Sequence, residues 1–239
     1  MAQEKKMTTT IAGVPPSADI RAQLAREGRP VLVAFSGGKD SICAALALRD
    51  AGVDVRLAYL YGVPDLGFVQ RGLASMSEQL GLPIAQYPHP SLFRKLGYAV
   101  FQTPARARVI GAAKLVKIDY PLVWSLIRED LGLPEDSWVA DGVRANDSQQ
   151  RRMAFSRYGA MKPDSRKVSA VWDWSIHKIR ATLEEHEIEL QVDYEWFGRS
   201  FDGIDRRFLE PIYKNAPEDY AQIIRWFPLA GMELHRHDL

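Results

Sequence analysis

The sequence predicts an α/β protein built on a doubly wound, mostly parallel sheet. From about residue 30, short apolar or β-branched runs alternate with longer amphipathic runs, which is typical of strands joined by crossover helices. The first apolar run ends in a glycine-rich segment that opens a helical run. The chain has 239 residues, of which 46% are hydrophobic and 26% charged, so it can bury one large core as a globular protein.

The first strand and helix carry the clearest signal. The run 30–35 (PVLVAF) is continuous and apolar, as expected for a strand buried on both faces, and it stops at Ser36, Gly37 and Gly38. Residues 42–51 favour a helix that Gly52 ends. The sequence therefore predicts a strand, a tight glycine loop and a helix in direct succession.

The remaining elements follow the same alternation. We expect further strands at 53–61, 83–87, 137–140 and 167–171. We expect further helices at 68–80, at 105–131 with a break near Pro121, at 175–187 and at 217–226. Because of its prolines, the segment 89–104 is predicted to be a loop.

Three regions are predicted along the chain. Residues 1–20 are expected to form a flexible leader, 21–190 a nucleotide-binding domain, and 191–239 a small aromatic and arginine-rich C-terminal extension packed on the core. Within the extension, the segment 197–208 (FGRSFDGIDRRF) alternates aromatic and arginine residues and could stack on bases. The six acidic residues of 184–195 instead favour a packed, salt-bridged tail.

Charge and cysteine content exclude several classes of function. Thirty-one Lys and Arg against 30 Asp and Glu leave a net charge of +1, so no overall field drives the chain onto nucleic acid or anionic lipid. The single cysteine, Cys43, excludes an intrachain disulfide, a four-thiolate zinc site and a cysteine-held iron–sulfur cluster. No apolar stretch reaches the ~20 residues of a membrane span. We expect a cytoplasmic protein; its oligomeric state is left open, with a homodimer compatible.

The segment 36–41 (SGGKDS) carries the most specific chemistry. Glycines allow a sharp turn and close approach to a ligand, and the following helix offers unpaired N–H groups to an anion. Lys39 adds a positive charge, Ser36 and Ser41 add hydroxyl groups, and Asp40 could hold magnesium on a polyphosphate. The alternative is a tight turn in which Asp40 or Ser41 only caps the helix.

This segment resembles the PP-loop of the ATP pyrophosphatase superfamily, also called adenine nucleotide α-hydrolases. Two further segments resemble the phosphoadenosine phosphosulfate reductase branch: 142–148 (GVRANDS) with Arg151, and 171–175 (VWDWS) with Ile179. The chain departs from that branch because no cysteine follows Cys43, where the reductases carry a catalytic one.

The resemblance implies a fold, ligands and roles for residues. It implies that the loop holds the pyrophosphate end of ATP with magnesium, and that an acceptor oxygen attacks the α-phosphorus. The expected catalytic residues are Lys39, Asp40 and Arg144, with Asp40 as the magnesium ligand. The expected nucleotide-binding residues are Ser36, Gly37, Gly38, Lys39, Asp40, Ser41, Gly142, Arg144 and Arg151.

A second candidate region is strongly basic. Residues 144–167 hold seven Lys or Arg against two Asp, an excess suited to clamping a polyphosphate or an anionic co-substrate. Arg144 and Arg151 are favoured because they follow a predicted strand end, where open α/β sheets bind ligands. The alternative is a solvated basic loop.

Three functions are compatible with these features. The first is a PP-loop enzyme that cleaves the α–β phosphate bond of ATP and adenylylates an unidentified acceptor. The second is a sulfonucleotide enzyme that uses phosphoadenosine phosphosulfate with an external reductant. The third is a nucleotide-binding module without catalysis. Near the C-terminus, His235 and His237 beside Asp238 could bind a metal, but fraying is favoured there.

Overall fold

The structure, a computed structural model, describes residues 7–235 and confirms the α/β fold with a mostly parallel sheet. The strands of these residues are Val31–Phe35 (β1), Val55–Tyr61 (β2), Ile84–Pro88 (β3), Val139–Asp141 (β4), Met161–Lys162 (β5) and Lys167–Ser169 (β6). The helices are Ser17–Glu27 (α1), Lys39–Asp50 (α2), Gly67–Leu80 (α3), Pro90–Gly97 (α4), Pro104–Ala113 (α5), Tyr120–Asp130 (α6), Gln149–Tyr158 (α7), Ile176–Glu185 (α8), Val192–Phe197 (α9), Arg206–Asn215 (α10) and Pro217–Trp226 (α11).

The sheet order places β1 at the centre. The order is β3-β2-β1-β4-β6-β5, and β1 pairs in parallel with both β2 and β4. Strand β4 pairs in parallel with β6, and the short β5 pairs antiparallel with β6. Because β1 and β4 are parallel neighbours, the segments that follow Phe35 and Asp141 leave the same edge of the sheet.

The described chain divides into two compact units. The first contains residues 7–59, 77–85 and 124–190, and the second contains 60–76, 86–123 and 191–235. The division after residue 190 coincides with a predicted boundary. The segments 60–76 and 86–123, which the sequence assigned to the nucleotide-binding domain, instead group with the C-terminal region.

The core of the first unit is built around β1 and α2. Strand β1 is buried at four of its five positions, as its uninterrupted apolar run predicts. Helix α2 is buried continuously from Ser41 to Leu48. A helix buried all round needs small and apolar residues on every face, and the sequence SICAALAL supplies them.

Part of the segment 1–20, which the sequence analysis predicts to be a flexible leader, packs against the segment 171–175, and its flexibility stays a prediction. Thr8 forms a bridge with Trp174, and the backbone N–H of Thr9 donates to the carbonyl oxygen of Asp173 (2.7 Å). The Asp173 carboxylate accepts hydrogen bonds from the backbone N–H (3.0 Å) and hydroxyl (2.5 Å) of Ser17, which opens α1. These contacts join residues far apart in sequence, which local patterns do not reveal.

The second unit contains an aromatic cluster. Phe68 lies against Trp196 and Phe201, with ring centroids 5.4 Å away in both cases. Phe197 and Phe208 complete the cluster, with centroids 5.1 Å apart. Near this cluster, the buried Asp219 carboxylate accepts hydrogen bonds from the backbone N–H groups of Gly67 and Phe68 at the start of α3.

The packed interpretation of the segment 197–208 is confirmed. Its phenylalanines lie in the aromatic cluster, and its arginines form ion pairs within the same unit: Arg199 with Asp202, Arg207 with Asp205, and Arg206 with Glu210. The rings are therefore engaged in packing, and the arginines form ion pairs at the surface.

Around the prolines of 88–121 the predicted loop is wrong, whereas the predicted helix with a break near Pro121 is confirmed. The expected loop 89–104 contains α4, because His89 caps its N-terminus and Pro90 occupies the first turn, where a proline is tolerated. The expected helix 105–131 breaks at 114–119, before Pro121, and Lys114 ends α5 in the left-handed region (φ 47°). Helices α1, α7, α9 and α10 were not predicted.

We expect Asp173→Ala to lower the free energy of unfolding by about 1–3 kcal/mol, because the Ser17 donors lose a buried charged acceptor. Chemical denaturation of both proteins measures the difference. Asp164→Ala, at an exposed position, is the matched control and should change stability by no more than about 0.5 kcal/mol. Equal stability of the Asp173 variant and wild type would contradict the assigned cap.

Candidate functional site

The segment 36–41 forms a tight loop between β1 and α2. Gly37 has a φ of 69°, in the region where a side chain is strained, and Gly38 is extended (φ −83°, ψ 149°) as the N-cap residue of α2. The Gly38 carbonyl accepts the first helical hydrogen bonds, from the N–H groups of Ser41 (2.9 Å) and Ile42 (3.0 Å). The positive end of the α2 dipole therefore lies at the loop, which favours an anion there.

The two serines of the loop hold its backbone in place. The Ser41 hydroxyl donates to the Gly38 carbonyl (2.8 Å) and accepts from the Ser36 N–H (3.1 Å). The Ser36 hydroxyl accepts from the Gly38 N–H (3.3 Å), and the two hydroxyl oxygens are 3.1 Å apart. The two serines therefore bond to the loop's own backbone and hold its shape.

Gly142 allows the end of β4 to approach this loop. A Cβ atom at Gly142 would lie 2.5 Å from the Asp40 carbonyl oxygen and 2.7 Å from the Ser41 nitrogen. Both are backbone atoms that cannot swing away, so any side chain at position 142 would push the strand end from the start of α2. This contact brings the two segments recognised in the sequence, 36–41 and 142–148, together in space.

Alternating charges connect these segments. Lys39 Nζ lies 3.0 Å from Asp40 Oδ2, and Arg144 Nε lies 2.8 Å from Asp40 Oδ1. Asp147 then links two arginines: its Oδ1 is 2.6 Å from Arg144 Nη2, and its Oδ2 is 2.5 Å from Arg151 Nη1. We call Lys39, Asp40, Arg144, Asp147 and Arg151 the charge network.

The side chains of the charge network differ in how much of their surface is exposed to solvent. The Arg144 side chain is 6% exposed, whereas those of Lys39 and Arg151 are 29% and 50% exposed. Arg144 is therefore held in the interior by two carboxylates. Lys39 and Arg151 lie at the two ends and present charge to solvent, where an anion can reach them.

Arg144 is also supported by the segment 171–175. Its Nη1 donates to the Trp174 carbonyl oxygen (3.3 Å), which also accepts from Asn146 Nδ2 (3.3 Å). The Ala145 N–H donates to the Trp172 carbonyl oxygen (2.7 Å), and the Thr9 hydroxyl donates to Asn146 Oδ1 (2.9 Å). The N-terminal segment and the second recognised motif thus position the loop that carries Arg144.

Asp40 meets the requirements of a magnesium ligand only in part. It is a carboxylate at the loop, but each of its oxygens faces a cation. The Asp40 Oδ1 and Arg144 Nε atoms are buried and make no hydrogen bond despite their 2.8 Å separation. Among residues 7–235 no cluster of three His, Cys, Asp or Glu side chains is arranged to hold a metal. His237 and Asp238 lie outside the described residues.

A second carboxyl group lies beside the loop. Asp141 ends β4, and its Oδ1 accepts a hydrogen bond from the Val143 N–H (3.1 Å). Burial raises the pKa of this carboxyl group, while a hydrogen bond from Ser169 acts in the opposite direction. Gly142, the next residue, contacts the start of α2, so this carboxyl group lies near the loop.

Cys43 is shielded, as the sequence predicts. It is completely buried in α2, and its Sγ contacts the Ile179 carbonyl oxygen at 3.5 Å. Burial, reinforced by the charge of Asp40, raises the pKa of the thiol to about 12. The reactive form of cysteine is the thiolate, so Cys43 is unsuited to sulfur transfer.

All nine sequence-predicted site residues lie in the first unit, and the structure brings them into one region. Their ligand-binding roles stay predictions. The sequence reasoning gave no role to Asp147, Asn146, Trp174 and Asp141. Asp147 carried a recognisable signal, since it lies three residues after Arg144 and four before Arg151, the spacings at which opposite charges meet on a helical turn.

Comparisons with known proteins do not identify a family for this chain. No family model matches the chain, and no curated protein matches it. Among solved structures, the chain is similar to an NH3-dependent NAD synthetase from Campylobacter jejuni in complex with the nitrate ion, with 13% identity and a TM-score of 0.45, over 93% of this chain and 95% of that one. A similarity of this degree identifies neither a family nor an activity. No helix in the described part of the chain is long and apolar enough to cross a membrane.

We expect Gly142→Ala to lower the free energy of unfolding by about 1–3 kcal/mol and to weaken ligand binding at the loop, because its Cβ would collide with the Asp40 and Ser41 backbone. Thermal and chemical denaturation measure the first effect. Gly111→Ala in α5, where a Cβ would meet nothing within 4 Å, is the control and should be neutral or stabilising. A Gly142 variant as stable as the control would refute the close approach.

Cys43 should make stability depend on pH in the alkaline range. Its folded pKa of about 12 lies above the ordinary value of 9.0, so the thiol ionises first in the unfolded chain. The protonated thiol therefore makes its full contribution to the free energy of unfolding below pH 9. As the pH rises from 9 toward 12 this contribution is lost, and the free energy of unfolding falls with a slope approaching about 1.4 kcal/mol per pH unit.

Denaturation of wild type and Cys43→Ser between pH 8 and 11 checks this expectation. The variant loses an amount of packing energy that does not depend on pH. Its free energy of unfolding should therefore fall less between pH 9 and 11 than that of the wild type. Parallel curves for the two proteins would contradict a raised thiol pKa.

Proposed function

We propose that this protein binds ATP with magnesium through the segment 36–41 and transfers the adenylyl group to an acceptor, releasing pyrophosphate. The observation that carries the proposal is the SGGKDS loop itself, which lies between a buried strand and the N-terminus of a buried helix. Its shape is already set by Ser36, Ser41 and Gly142. An anion-binding loop of fixed shape at the edge of a parallel sheet supports nucleotide binding.

Each residue of the charge network has a role in the proposal. Lys39, the cation of the loop, contacts phosphate and neutralises charge that develops during transfer. Arg144 is largely buried between Asp40 and Asp147, so it positions Asp40. Arg151, half-exposed at the far end, contacts the anionic co-substrate.

Magnesium, when bound with the nucleotide, neutralises phosphate charge, and Asp40 is the residue of the loop that would hold it. In the structure Lys39 contacts one oxygen of this carboxylate. Movement of the Lys39 ammonium group from Asp40 to a phosphate would free that oxygen. The adenylyl step itself joins an acceptor oxygen to the α-phosphorus and breaks the bond between that phosphorus and the oxygen bridging it to the β-phosphate.

The burial of Cys43 weighs against a sulfonucleotide reductase that uses the chain's own thiol. Such an enzyme needs an accessible thiolate, whereas this thiol is enclosed in α2. A sulfonucleotide enzyme served by an external reductant differs from our proposal in its ligand. Thermal shifts with ATP, AMP, phosphoadenosine phosphosulfate and adenosine phosphosulfate, with and without magnesium, separate the two.

We expect α-labelled ATP to yield AMP or an adenylylated product together with pyrophosphate, and Lys39→Ala to lower turnover at least tenfold while the fold is retained. The Lys39 side chain is 29% exposed, so the variant removes a charge that solvent and an anion can reach. Lys117→Ala, an exposed lysine of the second unit, is the control. ADP as the main product, or full turnover in the Lys39 variant, would overturn the proposal.

A further inference from the structure

His89 connects the end of β3 to the start of α4, and both nitrogens of its ring make hydrogen bonds. Its Nδ1 atom accepts from the backbone N–H of Ser91 (2.9 Å) and lies 2.6 Å from the Ser91 hydroxyl oxygen. Its Nε2 atom lies 2.9 Å from the hydroxyl oxygen of Tyr120, the first residue of α6. All three residues belong to the second unit, whereas the charge network belongs to the first.

These contacts determine which nitrogen of His89 carries a proton. A backbone N–H can only donate, so Nδ1 must present its lone pair to Ser91. A neutral imidazole has one N–H group, which is therefore on Nε2 and donates to the Tyr120 hydroxyl. A second proton would go to Nδ1. The Ser91 hydroxyl can turn to accept from it, but the Ser91 backbone N–H would lose its acceptor and face another donor.

The surroundings of His89 oppose a positive charge on its ring. The residue is the N-cap of α4, and the positive end of a helix dipole lies there. Burial lowers the pKa of His89, and the charges of Lys95 and Arg94 in the same helix lower it further. From the other elements, α6 contributes the neutral hydroxyl of Tyr120 and β2 the carbonyl of Tyr61, which accepts from the His89 backbone N–H (2.9 Å).

The other end of α4 leads into strained backbone. Ala99 and Phe101 have φ values of 51° and 53°, in the left-handed region that is unfavourable for residues with a side chain. The N–H groups of Ala99 and Val100 donate to the carbonyl oxygens of Leu96 and Lys95 (both 2.8 Å), so this turn depends on the last turn of α4. An eight-residue helix is too short to be stable alone, and the state of its N-cap therefore matters.

We propose that His89 is a pH-sensitive cap, which stabilises the first turn of α4 when it is neutral and releases that turn when it is protonated. Protonation removes the acceptor of the Ser91 N–H and places a positive charge at the helix N-terminus. Leu92, which is 4% exposed in the capped helix, would then become accessible to solvent. The proposal goes beyond adenylyl transfer and does not depend on it.

The direction of the pH effect follows from the lowered pKa of His89. The capped helix binds the proton more weakly than the opened segment, in which His89 has its ordinary pKa of 6.5. The free energy that opposes opening of α4 is therefore full above pH 6.5. It falls as the pH decreases from 6.5 to the lower pKa of the capped form, and it is constant below that pKa.

The test is amide hydrogen exchange of the full chain at pH 7.5 and 5.0, corrected for the intrinsic effect of pH on exchange. We expect a peptide covering residues 89–97 to lose protection at least fivefold at pH 5.0, while a peptide covering 39–50 of α2 keeps its protection. The midpoint of the loss should coincide with the pKa of His89 measured by NMR of its ring. His89→Asn should abolish the response, because an Asn side chain accepts from the Ser91 N–H at either pH.

The matched control is His177→Asn, at a half-buried position of α8 in the first unit, and it should keep the wild-type response. Circular dichroism melting at both pH values confirms that each variant is folded. Equal protection of wild-type α4 at the two pH values, or an equal loss in His89→Asn, would overturn the proposal. A loss of protection throughout the chain at pH 5.0 would also overturn it, since that is global unfolding. The measurement of pyrophosphate release is unaffected by any of these results.

Discussion

The buried guanidinium group of Arg144 is the constraint on which the candidate site depends. A cation taken out of water is costly unless opposite charges and hydrogen bonds surround it. Here Asp40, Asp147 and the Trp174 carbonyl group meet that requirement, and each belongs to a different segment of the chain. The helix that follows the glycine loop, the turn after β4 and the segment 171–175 must therefore be in place together. Removing either carboxylate would leave the arginine partly uncompensated.

The loop before α2 shows how short side chains hold the backbone at a helix N-terminus. Its two serines bond to the loop's own backbone, and Gly142 lets a neighbouring strand end support it from the side. These interactions restrain the loop, and a restrained loop loses less conformational entropy when a ligand binds. The more exposed charges, Lys39 and Arg151, lie at the ends of the network, whereas the buried charge of Arg144 lies inside it.

Much of the first unit could be predicted from sequence because its signals are local. The run 30–35 has the uniform apolarity of a central strand, and the glycines after it mark a turn. The sequence also indicated that Arg144 follows a strand end, but its burial depends on Asp40, more than a hundred residues earlier. The packing of residues 8–20 on 171–175 was missed for the same reason, since tertiary contacts create it. Around Pro90 and Pro104, prolines were interpreted as loop residues although they begin helices.

The contacts of the N-terminal segment have a consequence for the order in which the chain folds. Ser17 and Asp173 are 156 residues apart, so during synthesis the first segment leaves the ribosome long before its partner exists. The glycine loop and α2 are also complete early, whereas the Trp174 carbonyl group that supports Arg144 arrives late. Closing so long a loop is slow in folding as well as late in synthesis. Arg144, which contacts the helix after the glycine loop, thus gains its last support only after residue 174 has emerged.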